Sequence, residues 1–134
     1  MPGQSNALPY RLNGDSCEVL LVTSRRKGKW ILPKGKIEPG ETASQRAATE
    51  AFEEAGVLGT VSKQPVNASA SFDPSRARVY ALRVETELEQ WPEMRSRKRA
   101  WFSLSEARSI LQDEKLQRAL QAFAAERVAA TQGQ

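Results

Sequence analysis

The chain has no histidine among its 134 residues, which excludes His-based nucleophilic triads, His-ligated zinc and imidazole general bases. Acid–base work must fall to carboxylates, Lys or Tyr. There is one cysteine, Cys17, so no internal disulfide can form. Its position just before the apolar run Val19 to Val22 reads as a small core thiol. No apolar run approaches the ~20 residues that span a bilayer, and Met1 to Ala7 lacks the charged-then-apolar pattern of a secretory signal. The expectation is a cytoplasmic protein with no membrane partner. Internal repeats and low-complexity segments are also missing.

What remains is ordinary for one domain: 40% hydrophobic and 27% charged residues, with a formal net charge of +4. A chain of this length can bury one core but not two catalytic units, so a single domain over 1–134 is expected, with 1–6 and 131–134 flexible at its ends. The basic residues are grouped, at Arg25 to Lys29, Lys34 to Lys36 and Arg95 to Arg99, which favours a small anionic ligand.

Ala7 to Leu12 and Glu18 to Ser24 read as strands joined by a hairpin turn at Asn13-Gly14-Asp15. Lys29 to Leu32 reads as a strand stopped by Pro33, and Lys34 to Gly40, with two glycines and a proline, as a loop whose backbone approaches something closely. A helix comes next. Thr42 and Gln45 have capping-box spacing, and Ala43, Ala47, Ala48, Ala51, Phe52 and Ala55 form an apolar face with a period near 3.6, stopped by Gly56. Val57 to Val61, Ala68 to Phe72, Val79 to Glu85 and Arg99 to Ser103 are further strands. A helix capped by Ser103 or Ser105 runs to Leu111, and another spans Glu114 to Ala130. Tyr10, Trp30, Phe72, Trp91 and Trp101 are mostly core candidates, with room for a base-stacking ring among them.

Glu50, Glu53 and Glu54 stand at i, i+3 and i+4 on the first helix, so their carboxylates share one face and repel. The residues between them, Ala51 and Phe52, carry no compensating charge. A divalent cation would relieve the repulsion, and an all-oxygen donor set without Cys or His points to Mg2+ or Mn2+. A solvated acidic helix face is the plain alternative.

The surrounding spacing decides between them. Gly35, Glu41 after five residues, and seven more to Thr49-Glu50-Ala51-Phe52-Glu53-Glu54-Ala55-Gly56-Val57 resemble the Nudix box, G-x5-E-x7-R-E-U-x-E-E-x-G-U with U aliphatic. Thr49 alone departs, standing where the family has Arg. Residues 7–11, 18–25 and 30–35, Trp91 and 97–102 are also similar to the subgroup of diphosphoinositol-polyphosphate and diadenosine-polyphosphate phosphohydrolases. The resemblance implies an α/β Nudix fold, a mixed β-sheet sandwiched between helices (α/β/α) with a catalytic loop-helix-loop. It also implies metal-dependent cleavage of a phosphoanhydride.

Carried over position by position, Glu50, Glu53 and Glu54 are the catalytic metal ligands, the Gly35 carbonyl is a further ligand, and Glu50 helps deprotonate the attacking water. Glu41, Gly40 and Gly56 read as structural. Arg25, Lys34 and Lys36 flank the loop as candidate phosphate contacts, and Arg97 to Arg99 form a second basic cluster. A metal-binding carboxylate outside the box is sought among Glu85, Glu87, Glu89 and Glu93. For the missing Arg at position 49, Arg46 lies four residues before Glu50 and can face it; alternatively Thr49 bonds locally and leaves a slower enzyme. A nucleoside triphosphate or RNA 5′ end as substrate, and a polyphosphate-binding module without turnover, are the competing readings. No nucleic-acid partner is expected, since no RNA-binding module is recognisable. Oligomeric state is not legible.

Overall fold

A computed structural model describes the backbone of residues 3–66 and 78–132. Seven strands, β1 (Gln4–Asn13), β2 (Ser16–Thr23), β3 (Trp30–Ile31), β4 (Lys34–Lys36), β5 (Val57–Val61), β6 (Val79–Glu87) and β7 (Arg99–Ser103), form one sheet. Its helices are α1 (Ala43–Glu50), prolonged by a widened π-helical turn over Ala51–Ala55, then α2 (Leu104–Ile110) and α3 (Glu114–Gln132). The strand path is β3-β2-β1-β6-β5, with β4 added to β1 and β7 to β2. Only the β1–β6 pair is parallel among the described pairings.

Two apolar layers arise from the pleat. Successive residues of a strand face opposite sides, and in β2 Val19 and Leu21 join one core while Leu20 and Val22 join the other. The first core is closed by α2 and α3 through Ala107, Leu111, Leu116, Leu120 and Phe123. The second is closed by α1 and its π-helical extension through Ala47, Ala51 and Ala55. The continuous apolar run of β2 is therefore the mark of a strand covered on both faces. Each fully buried Val or Leu side chain contributes about 1.5–3 kcal/mol. The small side chains of α1 let it lie close to the sheet, with Ala7, Leu20, Val22, Tyr80 and Leu82 opposite.

The hairpin closes as expected, with Asn13 opposite Ser16 and Gly14 at φ 64°. A Cβ at Gly14 meets nothing within 4 Å, so Gly14→Ala tests backbone strain alone. It should lower unfolding stability by about 1–2 kcal/mol in denaturant titration, the cost of a left-handed L-residue.

Several expectations need correction. Gln4–Asn6, expected to fray, begin β1 because residues 34–36 supply a ladder partner: Gln4 lies opposite Lys36, Ser5 opposite Gly35 and Asn6 opposite Lys34. Ser5 and Asn6 are buried, and their side chains donate to the Ala43 and Arg78 carbonyls at 2.6 and 2.9 Å. Lys34–Lys36 is accordingly a strand, and the loop begins only at Ile37. Phe52 belongs to the helix but is exposed, at the margin of the alanine face. The backbone of α3 continues to Gln132, past the expected limit of order at Ala130. The strand expected over Ala68 to Phe72 lies outside the described residues. Cys17 is half-buried against the first core, and burial pushes its thiol pKa up. Tyr10 packs on Phe123 and Trp30 on Phe102, each with ring centroids 5.1 Å apart.

Candidate active site

The helix carrying the acidic cluster is fastened at its start. Thr42 Oγ1 accepts from Gln45 N–H at 3.1 Å, and Gln45 Oε1 accepts from Thr42 N–H at 2.8 Å, the reciprocal capping box expected from the spacing. The preceding loop is pinned by Ile37, which is buried and donates its N–H to the Gly3 carbonyl at 3.0 Å. Gly40 completes the loop at φ 84°, where an L-residue would be strained.

Glu41 closes this loop onto the helix. Its carboxylate accepts from Glu38 N–H at 2.6 Å and takes two bonds from Arg46, at 2.6 and 3.1 Å. The Arg46 bond first, then the Glu38 amide, hold its pKa below the usual carboxylate range. Arg46 also reaches Glu50 Oε2 at 3.0 Å across one helical turn. Thr49, the departure from the box, donates its hydroxyl to the Gln45 carbonyl at 3.0 Å. Both contacts expected for the missing Arg are present: Arg46 reaches Glu50 from one turn earlier, and the Thr49 hydroxyl bonds within its own helix.

Glu50 and Glu54 are both buried, at 8% and 4% exposure. Glu50 lies on the Gly35 backbone, where an added Cβ would overlap its carboxyl group. Glu54 Oε1 accepts from the Lys34 N–H at 3.4 Å, with the Glu50 carboxyl beside it. Strand β4 is thus the floor on which the two carboxyls rest. Burial first, then the neighbouring Glu50 carboxyl, raise the Glu54 pKa to about 8. Glu53 is less enclosed, and burial and Glu50 push its pKa up as well. Among the described residues no three carboxylates come together as a metal-ligand group in this arrangement.

Segment 88–99 supplies the opposite wall. Arg97 lies 3.6 Å from Glu54 Oε2, donates to Glu93 Oε1 at 2.8 Å and to the Thr23 carbonyl at 3.0 Å. Glu93 also pairs with Arg25 at 2.6 Å, and its N–H donates to the Glu53 carbonyl at 3.0 Å. Burial alone would raise the Glu93 pKa, but the bonds from Arg25 and Arg97 outweigh it and the net shift is downward. Of the four carboxylates considered outside the box, Glu93 is the one brought against the acidic residues. Glu85 bonds Thr60, and Glu87 pairs with Arg11 and Arg99. Arg25 stays 57% exposed at the rim, and Lys34 and Lys36 are exposed along β4. Arg97 and Arg99 of the second basic cluster are instead turned inward. The spacing Glu93-x3-Arg97 was the one sequence signal that could have linked Arg97 to the acidic site.

A family model described as the NUDIX domain matches residues 5–124, nearly the whole described chain. The chain belongs to the Nudix hydrolase family. Among its Nudix relatives, "Nudix hydrolase 12, mitochondrial" of Arabidopsis thaliana is 34% identical over 89% of this chain and 70% of its own length. "Diphosphoinositol polyphosphate phosphohydrolase 3-beta" of Bos taurus is 42% identical over 73% of this chain and 62% of its own. The chain spans 62–71% of the length of the curated relatives it matches. A C. elegans Ap4A hydrolase shares the fold with a TM-score of 0.68 at 20% identity, covering 96% of this chain and 99% of that one. The mixed sheet between helices is therefore the Nudix fold, and Nudix proteins generally use divalent metal ions. No described helix is long and apolar enough to cross a membrane.

Proposed function

We propose that this Nudix chain is a Mg2+-dependent hydrolase of a phosphoanhydride in a dinucleoside polyphosphate or a diphosphoinositol polyphosphate. The observation that carries the reading is the charge balance of one corner. Glu41, Glu50, Glu53, Glu54 and Glu93 gather there against the guanidiniums of Arg25, Arg46 and Arg97. Full ionisation would leave two negative charges uncompensated, and burial with the neighbouring Glu50 carboxyl raises the Glu54 pKa to about 8. A divalent ion supplies the missing charge, and the donors are all hard oxygens, which suits Mg2+ or Mn2+.

Glu50, Glu53, Glu54 and the Gly35 carbonyl would hold the ion. When bound, it neutralises charge on phosphate oxygens and lowers the pKa of water. The chain's own residues do the rest. Glu50, steadied by Arg46, accepts the proton of the attacking water. Arg25 and Lys34, with Lys36 beyond them, receive the phosphates; Arg25 is suited to a bidentate grip. The diphosphoinositol alternative draws support from the 42% identity to the bovine relative.

The test is turnover of a panel of dinucleoside polyphosphates, diphosphoinositol polyphosphates, nucleoside triphosphates and 5′-triphosphorylated RNA, with Mg2+ and with Mn2+, read by product mass. Cleavage of one of the first two classes is expected, abolished by EDTA and restored by Mg2+. Full activity in EDTA would sink the metal reading. Preference for the last two classes would replace the substrate. Tight binding without cleavage would make the chain a binding module.

A further inference from the structure

The last carbonyls of a helix have no partners within it, and here they belong to the turn that carries Glu53 and Glu54. Each of four successive carbonyls is taken by the segment between β6 and β7 or by β7 itself. Glu93 N–H donates to Glu53 O at 3.0 Å, and Trp91 Nε1 to Glu54 O at 3.0 Å. Arg99 Nη1 donates to Ala55 O at 2.9 Å and Gly56 O at 3.4 Å, and Leu88 N–H also reaches Gly56 O, at 2.8 Å.

The two side chains are themselves locked together. The Arg99 guanidinium lies 3.8 Å over the Trp91 ring and donates through Nη2 to the Leu88 carbonyl. Both press on Gly56, where a Cβ would come within 2.7 Å of Arg99 Nη1 and of Trp91 Cγ. Gly56 is thus required twice, for its φ of 67° and for this contact. A cation at a helix C-terminus is also favoured by the helix dipole. The same segment presents Arg97 to the Glu54 carboxyl, so it grips this turn by backbone and by side chain.

We propose that Trp91 and Arg99 are positioning residues, which hold the Glu53–Glu54 turn in the geometry that binds the divalent ion. This rests on the metal-dependent reading above. Trp91→Phe keeps an aromatic face beneath Arg99 while removing the N–H donor together with the five-membered ring. Arg99→Lys keeps the charge and removes the planar fork.

The readouts are the Mg2+ concentration giving half-maximal thermal stabilisation, measured without substrate, and the separate kcat and KM below the melting temperature. In each variant the half-saturating Mg2+ should rise ~10-fold or more and kcat should fall comparably, the usual effect of losing a group that orients a metal ligand, while KM stays within about twofold. A third readout needs no variant: the indole N–H resonance of Trp91 should move when Mg2+ is added to the wild-type protein.

A lowered melting temperature with unchanged half-saturating Mg2+ and kcat in either folded variant would overturn the proposal. So would a Trp91 resonance indifferent to Mg2+, which decides the matter even if both variants fail to fold. If the wild-type protein is neither stabilised by Mg2+ nor active with it, the metal reading itself falls.

Discussion

Glu54→Gln should lose more than about 100-fold in turnover, beyond the upper end of what removing an outer-shell partner of a metal ligand costs, and should at the same time gain stability at alkaline pH in EDTA. The two effects have one cause. Glu54 is 4% exposed and rests between Lys34 N–H, Glu50 and Arg97. Burial and Glu50 raise its pKa from 4.5 to about 8. Between those values the folded protein keeps a proton that the unfolded chain has released. The unfolded state then binds fewer protons, so stability falls as pH rises through that window and levels off above about 8. Glutamine has nearly the same shape and no charge, so the slope should flatten in denaturant titrations from pH 5 to 9. Mg2+ should restore stability to the wild type at pH 8 and do little for the variant. Wild-type turnover in Glu54→Gln would remove Glu54 from the catalytic set.

Arg46→Ala should cost about 2 kcal/mol of stability, the range of hydrogen bonds to charged groups in a largely enclosed setting, and roughly 10- to 100-fold in activity. The side chain is 16% exposed and joins Glu41 to Glu50. Its removal leaves the loop carboxylate and a buried helix carboxylate without their common cation. Thr49 lies three residues on, on the same side of α1, so Arg46→Ala combined with Thr49→Arg puts the guanidinium where the family pattern has it. That double variant should recover activity to within about tenfold of wild type. Activity untouched by Arg46→Ala would rule Arg46 out as the compensating cation, and a double variant no better than the single one would show that position 49 does not reach Glu41 and Glu50 in this loop.

Features encoded locally were legible in the sequence. The capping box at Thr42 and Gln45, the left-handed stop at Gly56 and the turn at Gly14 depend on residues within a few positions of one another. The two-sided strands β2 and β6 could be read for the same reason, from a run and from an alternation. What was not legible depends on chain segments far apart. Gln4–Asn6 look like a polar tail until residues 34–36 are laid beside them. Lys34–Lys36 look like a loop for the same reason. Arg97 and Arg99 resemble surface cations, and only the approach of segment 88–99 to the acidic turn shows that both point inward. Phe52 fits the apolar period, yet it ends at the margin because the buried face of α1 is filled by alanines.

The pairing of β1 with β4 gives the first few residues a say in the chemistry of the box some thirty positions later. A strand slipped by one residue presents the other face of its pleat. If β4 moved by one position against Ser5, a lysine would replace Gly35 under the Glu50 carboxyl, where there is no room even for a Cβ. Substitutions at Ser5 or Asn6 therefore bear on the alignment of an acidic centre they never touch, and tolerance to change at this end of the protein should be as narrow as within the motif itself.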